Sequence, residues 1–156
     1  MNRETTRAAT RHPTRRRALQ SALALGGALL LPRARACQFD ASTLRITHPW
    51  TRESAPGATT ARVCMKFDAV LVTDRLIGVE TPIAARAEMG GDQAGSAVNF
   101  LIPAGEDTEM AERGTHIRLI GLTEPLINGR EFPLRLTFEH GGVVNAKLTV
   151  DYARFG

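Results

Sequence analysis

The chain has 156 residues, 43% of them hydrophobic, which suits one domain with a core. Its 20 Lys and Arg outnumber its 16 Asp and Glu, but eight of the basic residues and only Glu4 of the acidic ones precede Cys37. Residues 37–156 therefore carry a formal charge of −3, which argues against nucleic acid as a partner.

The first 36 residues have the layout of an export signal. Residues 1–17 contain six arginines, residues 18–31 are uncharged and mostly Ala, Leu and Gly, and small residues stand at Ala34 and Ala36. We therefore predict a signal cleaved near Ala36, a periplasmic domain from residue 37 to 156, and no stable membrane insertion after cleavage. An uncleaved anchor is the alternative, although this apolar run is short for crossing a bilayer.

The export route stays open between two systems. Thr14–Gln20 resembles the twin-arginine signal, although Ala18 stands where an aromatic residue is usual, and the general secretory route fits equally well. Cys37 after the cleavage site allows a lipoprotein, but Arg35 fits the attachment motif badly.

Short apolar segments separated by turn residues follow. Strands are predicted at 44–47, 59–67, 74–79, 84–89, 98–102 and 108–110, between Gly114 and Pro125, and at 133–139 and 144–150. Residues 90–96 are predicted to form a flexible loop. Because no apolar repeat of helical period occurs after the export signal, we predict an all-β sandwich or Greek-key barrel of about eight or nine short strands.

The last three predicted strands alternate apolar and polar residues around turn sequences. Asn128-Gly129 and Gly141-Gly142 are typical of hairpins, and Leu134, Leu136 and Phe138 fall on one face. This pattern predicts an antiparallel meander with one face in water.

The two cysteines leave two interpretations open. An exported protein can join Cys37 and Cys64 in a disulfide, whereas Val63 and Met65 beside Cys64 favour a buried thiol that packs like a small apolar side chain.

Catalytic motifs are missing from the sequence. It has no Gly-x-Ser-x-Gly elbow, no P-loop and no nucleotide fingerprint, and His140 beside Gly141 is typical of a solvated turn. We predict that the protein is not an enzyme.

A set of short motifs resembles one family in content and order. These motifs are His48–Arg52, Pro56-Gly57, residues 74–76, residues 82–86, residues 102–105, Gly114-x-His116 and residues 121–129. Together they resemble the periplasmic copper chaperone family called PCu(A)C, over about residues 43–150. The resemblance implies a cupredoxin-like fold that holds one Cu(I) ion at its surface. It also implies partners such as cytochrome c oxidase subunit II, which carries the CuA centre, or Sco-type copper proteins.

The copper ligands that the resemblance implies are His and Met, because soft Cu(I) favours imidazole and thioether donors. His116 matches the start of the family's His-x-Met motif, but Arg118 replaces its Met. The family's other His position holds Gly90, and the loop after it is shortened, so Met89 is the nearest candidate. His116 and Met89 are therefore the predicted metal ligands, and Cys37, His48 or a partner would have to add any further donors.

Arg118 also supports a second interpretation. A guanidinium beside His116 repels cations and cannot ligate them. The alternative is therefore a metal-free periplasmic binding or scaffold module on the same fold, in which His116 and Arg118 could form an anion-binding corner.

Overall fold

The computed structural model describes residues 37–151, so the predicted export signal lies outside the described residues. The strands are β1 Gln38–Asp40, β2 Arg45–Thr51, β3 Thr60–Asp68, β4 Asp74–Glu80, β5 Ala84–Gly90, β6 Phe100–Ile102, β7 Thr108–Met110, β8 His116–Leu122, β9 Glu131–Phe138 and β10 Gly142–Val150. A 3₁₀ turn at Gly91–Gln93 is the one helical element within this range, which confirms the all-β prediction. None of the described residues forms a helix long and apolar enough to span a membrane.

All ten strands belong to one strongly curled sheet. Its main order is β5-β8-β3-β2-β10-β9-β4-β6, with β1 on β2 and β7 on β3. The pairs are antiparallel except for β2 and β10, which run parallel. A twisted sheet of this width curls around its own apolar face, and this curling places the core inside.

The predicted C-terminal meander is only partly correct. Strands β9 and β10 form the expected hairpin, with Phe138 opposite Gly142. Strand β8 does not pair with β9, however, and lies between β5 and β3. The connection from β8 to β9 is a loop and not a tight turn. Leu126 is buried within this loop, and its N–H donates to Ser54 Oγ at 2.9 Å.

The core is built from the alternating apolar residues of the strands. Phe67 on β3 lies at its centre, with the Phe138 ring edge-on at 6.1 Å and the Phe100 ring at 5.9 Å. On β9 and β10 every second residue is buried, as the period-two pattern predicts.

Candidate functional site

The register between β5 and β8 decides where the predicted site residues lie. Gly90 is opposite His116, Met89 is opposite Ile117, and Glu88 is opposite Arg118. Because side chains alternate along a strand, Glu88, Gly90, His116 and Arg118 share the outer face of the sheet. Met89 shares the core face with Ile117, and neither of these two side chains is exposed.

His116 is largely buried against its own loop and against β5. Its Nδ1 lies 2.8 Å from Gly114 O, and since a carbonyl oxygen only accepts, Nδ1 carries the proton in the neutral ring and leaves the lone pair on Nε2. A Cβ atom built on Gly90 would come within 2.2 Å of Nε2. The ring therefore fills the space that a side chain at position 90 would need.

The structure does not bring the two predicted ligands together. Met89 belongs to the hydrophobic core, on the opposite side of the sheet from the His116 imidazole. Met65 and Met110, which pair across β3 and β7, are also buried in the core. Every methionine among residues 37–151 therefore points into the core.

Other donors do not complete a site within the described part of the chain. Residues 37–151 contain no group of three or more His, Cys, Asp or Glu side chains that could hold a metal ion. His48 Nε2 lies 3.7 Å from Asp151 Oδ2, and His140 is exposed at a turn, as the sequence predicts. A lone imidazole does not fit the site of His and Met donors together that the resemblance implies.

Cys37 and Cys64 are both free thiols in the structure, so no disulfide joins them. Cys64 is buried in β3, and burial raises the pKa of its thiol to about 12, with Glu112 and Glu109 acting in the same direction. A thiol with this pKa stays protonated at neutral pH and is a poor metal ligand.

A cleft of about 940 Å³ opens on the outer face beside His116. It is lined by four arginines and two glutamates, with small residues between them, and we call it the arginine cleft. The charged lining residues are Arg52, Arg62, Arg113, Arg118, Glu53 and Glu112. Of this set, the sequence pointed to Arg118 beside His116 and to Arg52 at the end of the His48–Arg52 motif. The other four residues lie outside the family motifs, so no local pattern groups them.

One ion pair organises the wall of the arginine cleft. Arg52 holds the Glu112 carboxylate with two hydrogen bonds, one from Nε and one from Nη2 to Oε2 at 2.7 Å. This pairing lowers the pKa of Glu112 and raises the pKa of Arg52, so both groups stay charged.

Comparisons with known proteins agree with this fold. A family model described as "Putative lipoprotein LpqE-like" matches residues 44–150. A comparison with curated proteins finds no match. Several solved structures are similar to the chain. The copper-bound PCuAC domain from PmoF2 is 25% identical, with a TM-score of 0.67 over 73% of this chain and 97% of that one.

Two further structures are similar in fold. The apo PCuAC domain from PmoF1 is 24% identical, with a TM-score of 0.68 over 73% of this chain and 98% of that one. CuI-DR1885 from Deinococcus radiodurans is 20% identical, with a TM-score of 0.59 over 77% of this chain and 83% of that one. Since the family model covers most of the chain and the described strands adopt the cupredoxin-like fold of these domains, the chain belongs to the LpqE-like, PCuAC-type family of copper chaperones.

Proposed function

We propose that this protein is exported to the periplasm, where it acts as a copper-chaperone-like protein with His116 as its main copper donor. The observation that carries the proposal is the contact between His116 Nδ1 and Gly114 O, at 2.8 Å. A backbone carbonyl that holds one ring nitrogen is the usual support of a metal-binding histidine, because it leaves the lone pair on the other nitrogen.

A single donor from this chain implies weak, transferable binding. Cu(I) held by one imidazole is open to further soft ligands, so a partner's thiol or thioether could complete the coordination and take the ion away. Met89 was the second predicted donor, and it would reach the ion only if the end of β5 separated from β8. We expect the partner to supply most of the sulfur ligands that bind the copper ion.

The proteins proposed to receive the copper ion follow from the family resemblance. Proteins of this type are associated with the CuA centre of cytochrome c oxidase subunit II and with Sco-type thiol proteins, and we propose the same partners here. The predicted cleavage near Ala36 would release the domain on the side of the membrane where those proteins display their copper sites.

The test is an anaerobic titration of the protein with Cu(I) against a competing chelator. We expect one ion per chain at micromolar or weaker affinity, and we expect His116→Ala to abolish this binding. His140→Ala is the matched control, because His140 lies exposed at a turn and should not contribute. Unchanged binding in His116→Ala would refute the assignment of His116.

A metal-free binding module is the second candidate, and the arrangement of side chains around His116 favours it. The arginine cleft lies beside the imidazole, and the described methionines point into the core. Elemental analysis of protein isolated from its own periplasm separates the two candidates. Bound copper supports the chaperone, and protein isolated without copper that also fails the titration supports the module.

A further inference from the structure

Two arginines face each other across neighbouring strands in the arginine cleft. Arg62 on β3 is directly opposite Arg118 on β8, and both side chains are exposed on the outer face. Like charges in directly opposite positions destabilise a sheet. On the other side of Arg118, the opposite residue is Glu88 on β5. Its carboxylate Oε1 lies 3.5 Å from Arg118 Nη1.

Of the two glutamates that line the arginine cleft, Glu112 is already paired. Arg52 binds Glu112 through both of its oxygens, so each oxygen of this carboxylate already accepts a charge-assisted hydrogen bond. Arg62 donates from Nη1 to the backbone oxygen of Glu112 at 3.2 Å. Among residues 37–151, neither Arg62 nor Arg113 forms a salt bridge.

The cleft is therefore a local excess of positive charge on a domain of opposite sign. Its lining carries four arginines against two glutamates, whereas residues 37–156 have a formal charge of −3. A short anionic segment would relieve the repulsion between Arg62 and Arg118. A long polyanion would extend beyond the cleft and be repelled by the net negative charge of the domain.

We propose that the arginine cleft binds an acidic segment of a partner polypeptide, whose carboxylates pair with Arg62, Arg113 and Arg118. Guanidinium groups bind carboxylates through two parallel hydrogen bonds, which makes such pairs strong and directional. The volume of about 940 Å³ is far larger than a single small anion needs, and alanines between the arginines leave room for a peptide backbone.

This inference extends the proposed function without depending on copper, since none of the three arginines is a metal donor. The cleft includes His116 in its lining, so a partner held there would have its acidic segment beside the imidazole. The partner could then supply the donors that this chain lacks, or it could be the ligand of a metal-free module.

The test is calorimetric titration of the exported protein, purified from the periplasm without its arginine-rich signal, in the presence of a Cu(I) chelator, with a synthetic peptide of alternating Glu and Gly. We expect binding that weakens as salt is added. Arg62→Gln and Arg113→Gln are each expected to weaken it about tenfold, because each removes a charge-assisted contact. Arg135→Gln on β9, outside the cleft, is the matched control and should bind normally.

A gain of affinity provides a second, opposite check. Glu112→Gln removes the carboxylate that Arg52 holds, so the peptide is expected to bind severalfold more tightly. The proposal is overturned if the Glu peptide does not bind at millimolar concentration, if its Gln counterpart binds equally, or if neither arginine variant changes the affinity. Tighter binding of inorganic phosphate or of a single-stranded oligonucleotide would also overturn the assignment to an acidic polypeptide. Because copper is excluded, the result does not depend on the copper titration.

Discussion

The imidazole of His116 lies over the Cα atom of Gly90, in the space that any larger residue at position 90 would occupy. A Cβ atom there would come within 2.2 Å of Nε2 and 2.4 Å of Cδ2. The glycine and the orientation of the imidazole are therefore coupled. The family resemblance implies a second histidine at this position, and the two side chains could not both fit without the His116 ring moving outward.

Gly90→Ala is expected to lower the free energy of unfolding by about 1–3 kcal/mol, because the new methyl group overpacks against the His116 ring. The backbone of Gly90 is extended, with φ of −119°, so the cost is steric. Urea denaturation measures the change. Gly114→Ala is the control, since its Cβ would meet only Ala111 O, at 4.0 Å.

The same coupling predicts non-additive effects. The double variant Gly90→Ala, His116→Ala is expected to lose less free energy of unfolding than the two single variants lose in total, because the clashing ring is gone. Strict additivity would show that the two residues do not interact.

Met89→Leu tests whether the predicted thioether ligand takes part in copper binding. Because the Met89 side chain is fully buried in the core, Leu should change the free energy of unfolding by less than about 1.5 kcal/mol and leave the Cu(I) affinity unchanged. Met89→Ala, which leaves a cavity, should cost about 2–5 kcal/mol. If Met89→Leu folded normally but lost copper, the thioether would have to reach the ion.

Asp74 is expected to make stability depend on acid pH. Its buried carboxylate accepts hydrogen bonds from Thr43 Oγ1 at 2.6 Å and from the backbone N–H groups of Arg75, His140 and Gly141. Burial alone raises the pKa of Asp74, but these bonds outweigh it and hold the pKa below its usual value of 3.8. The stabilisation is therefore complete above pH 3.8 and is lost as the pH falls through the lowered pKa of the folded state.

Asp74→Asn is expected to lower the free energy of unfolding by about 2–3 kcal/mol at neutral pH, because an amide cannot accept all of these bonds. Denaturation curves from pH 6 to pH 2 should show a smaller loss of stability in acid for the variant than for the wild type. Asp92→Asn, at an exposed position, is the control and should follow the wild type. Parallel pH curves for Asp74→Asn and the wild type would contradict the prediction.

Cys64 is expected to resist thiol reagents in the folded protein. Burial raises the pKa of its thiol to about 12, so almost no thiolate exists at pH 8, while Cys37 is partly exposed. Mass spectrometry after alkylation should find one label on the native chain and two after denaturation. Two labels on the native chain would contradict the burial of Cys64, and no label after denaturation without reductant would indicate a disulfide.

The strands could be predicted from the sequence where alternation is regular. Predicted segments 133–139 and 144–150 correspond to β9 and β10, because hydrophobic side chains with a period of two mark the buried face of a strand. Strand β1 was missed, since three residues are too short for any period to show. The place of β8 was predicted wrongly, because turn residues between two strands do not say whether those strands pair.

The sequence alone determined the all-β class, the order of the family motifs and His116 as the histidine that matches the family's ligand motif. Each of these depends on residues that are near one another in the chain. The tertiary structure decided that Met89 faces the core, that the His116 ring covers Gly90 and that Arg62 faces Arg118. These relationships depend on which strands become neighbours and in which register. That choice is made by burying apolar faces from distant segments together, so no local pattern contains it.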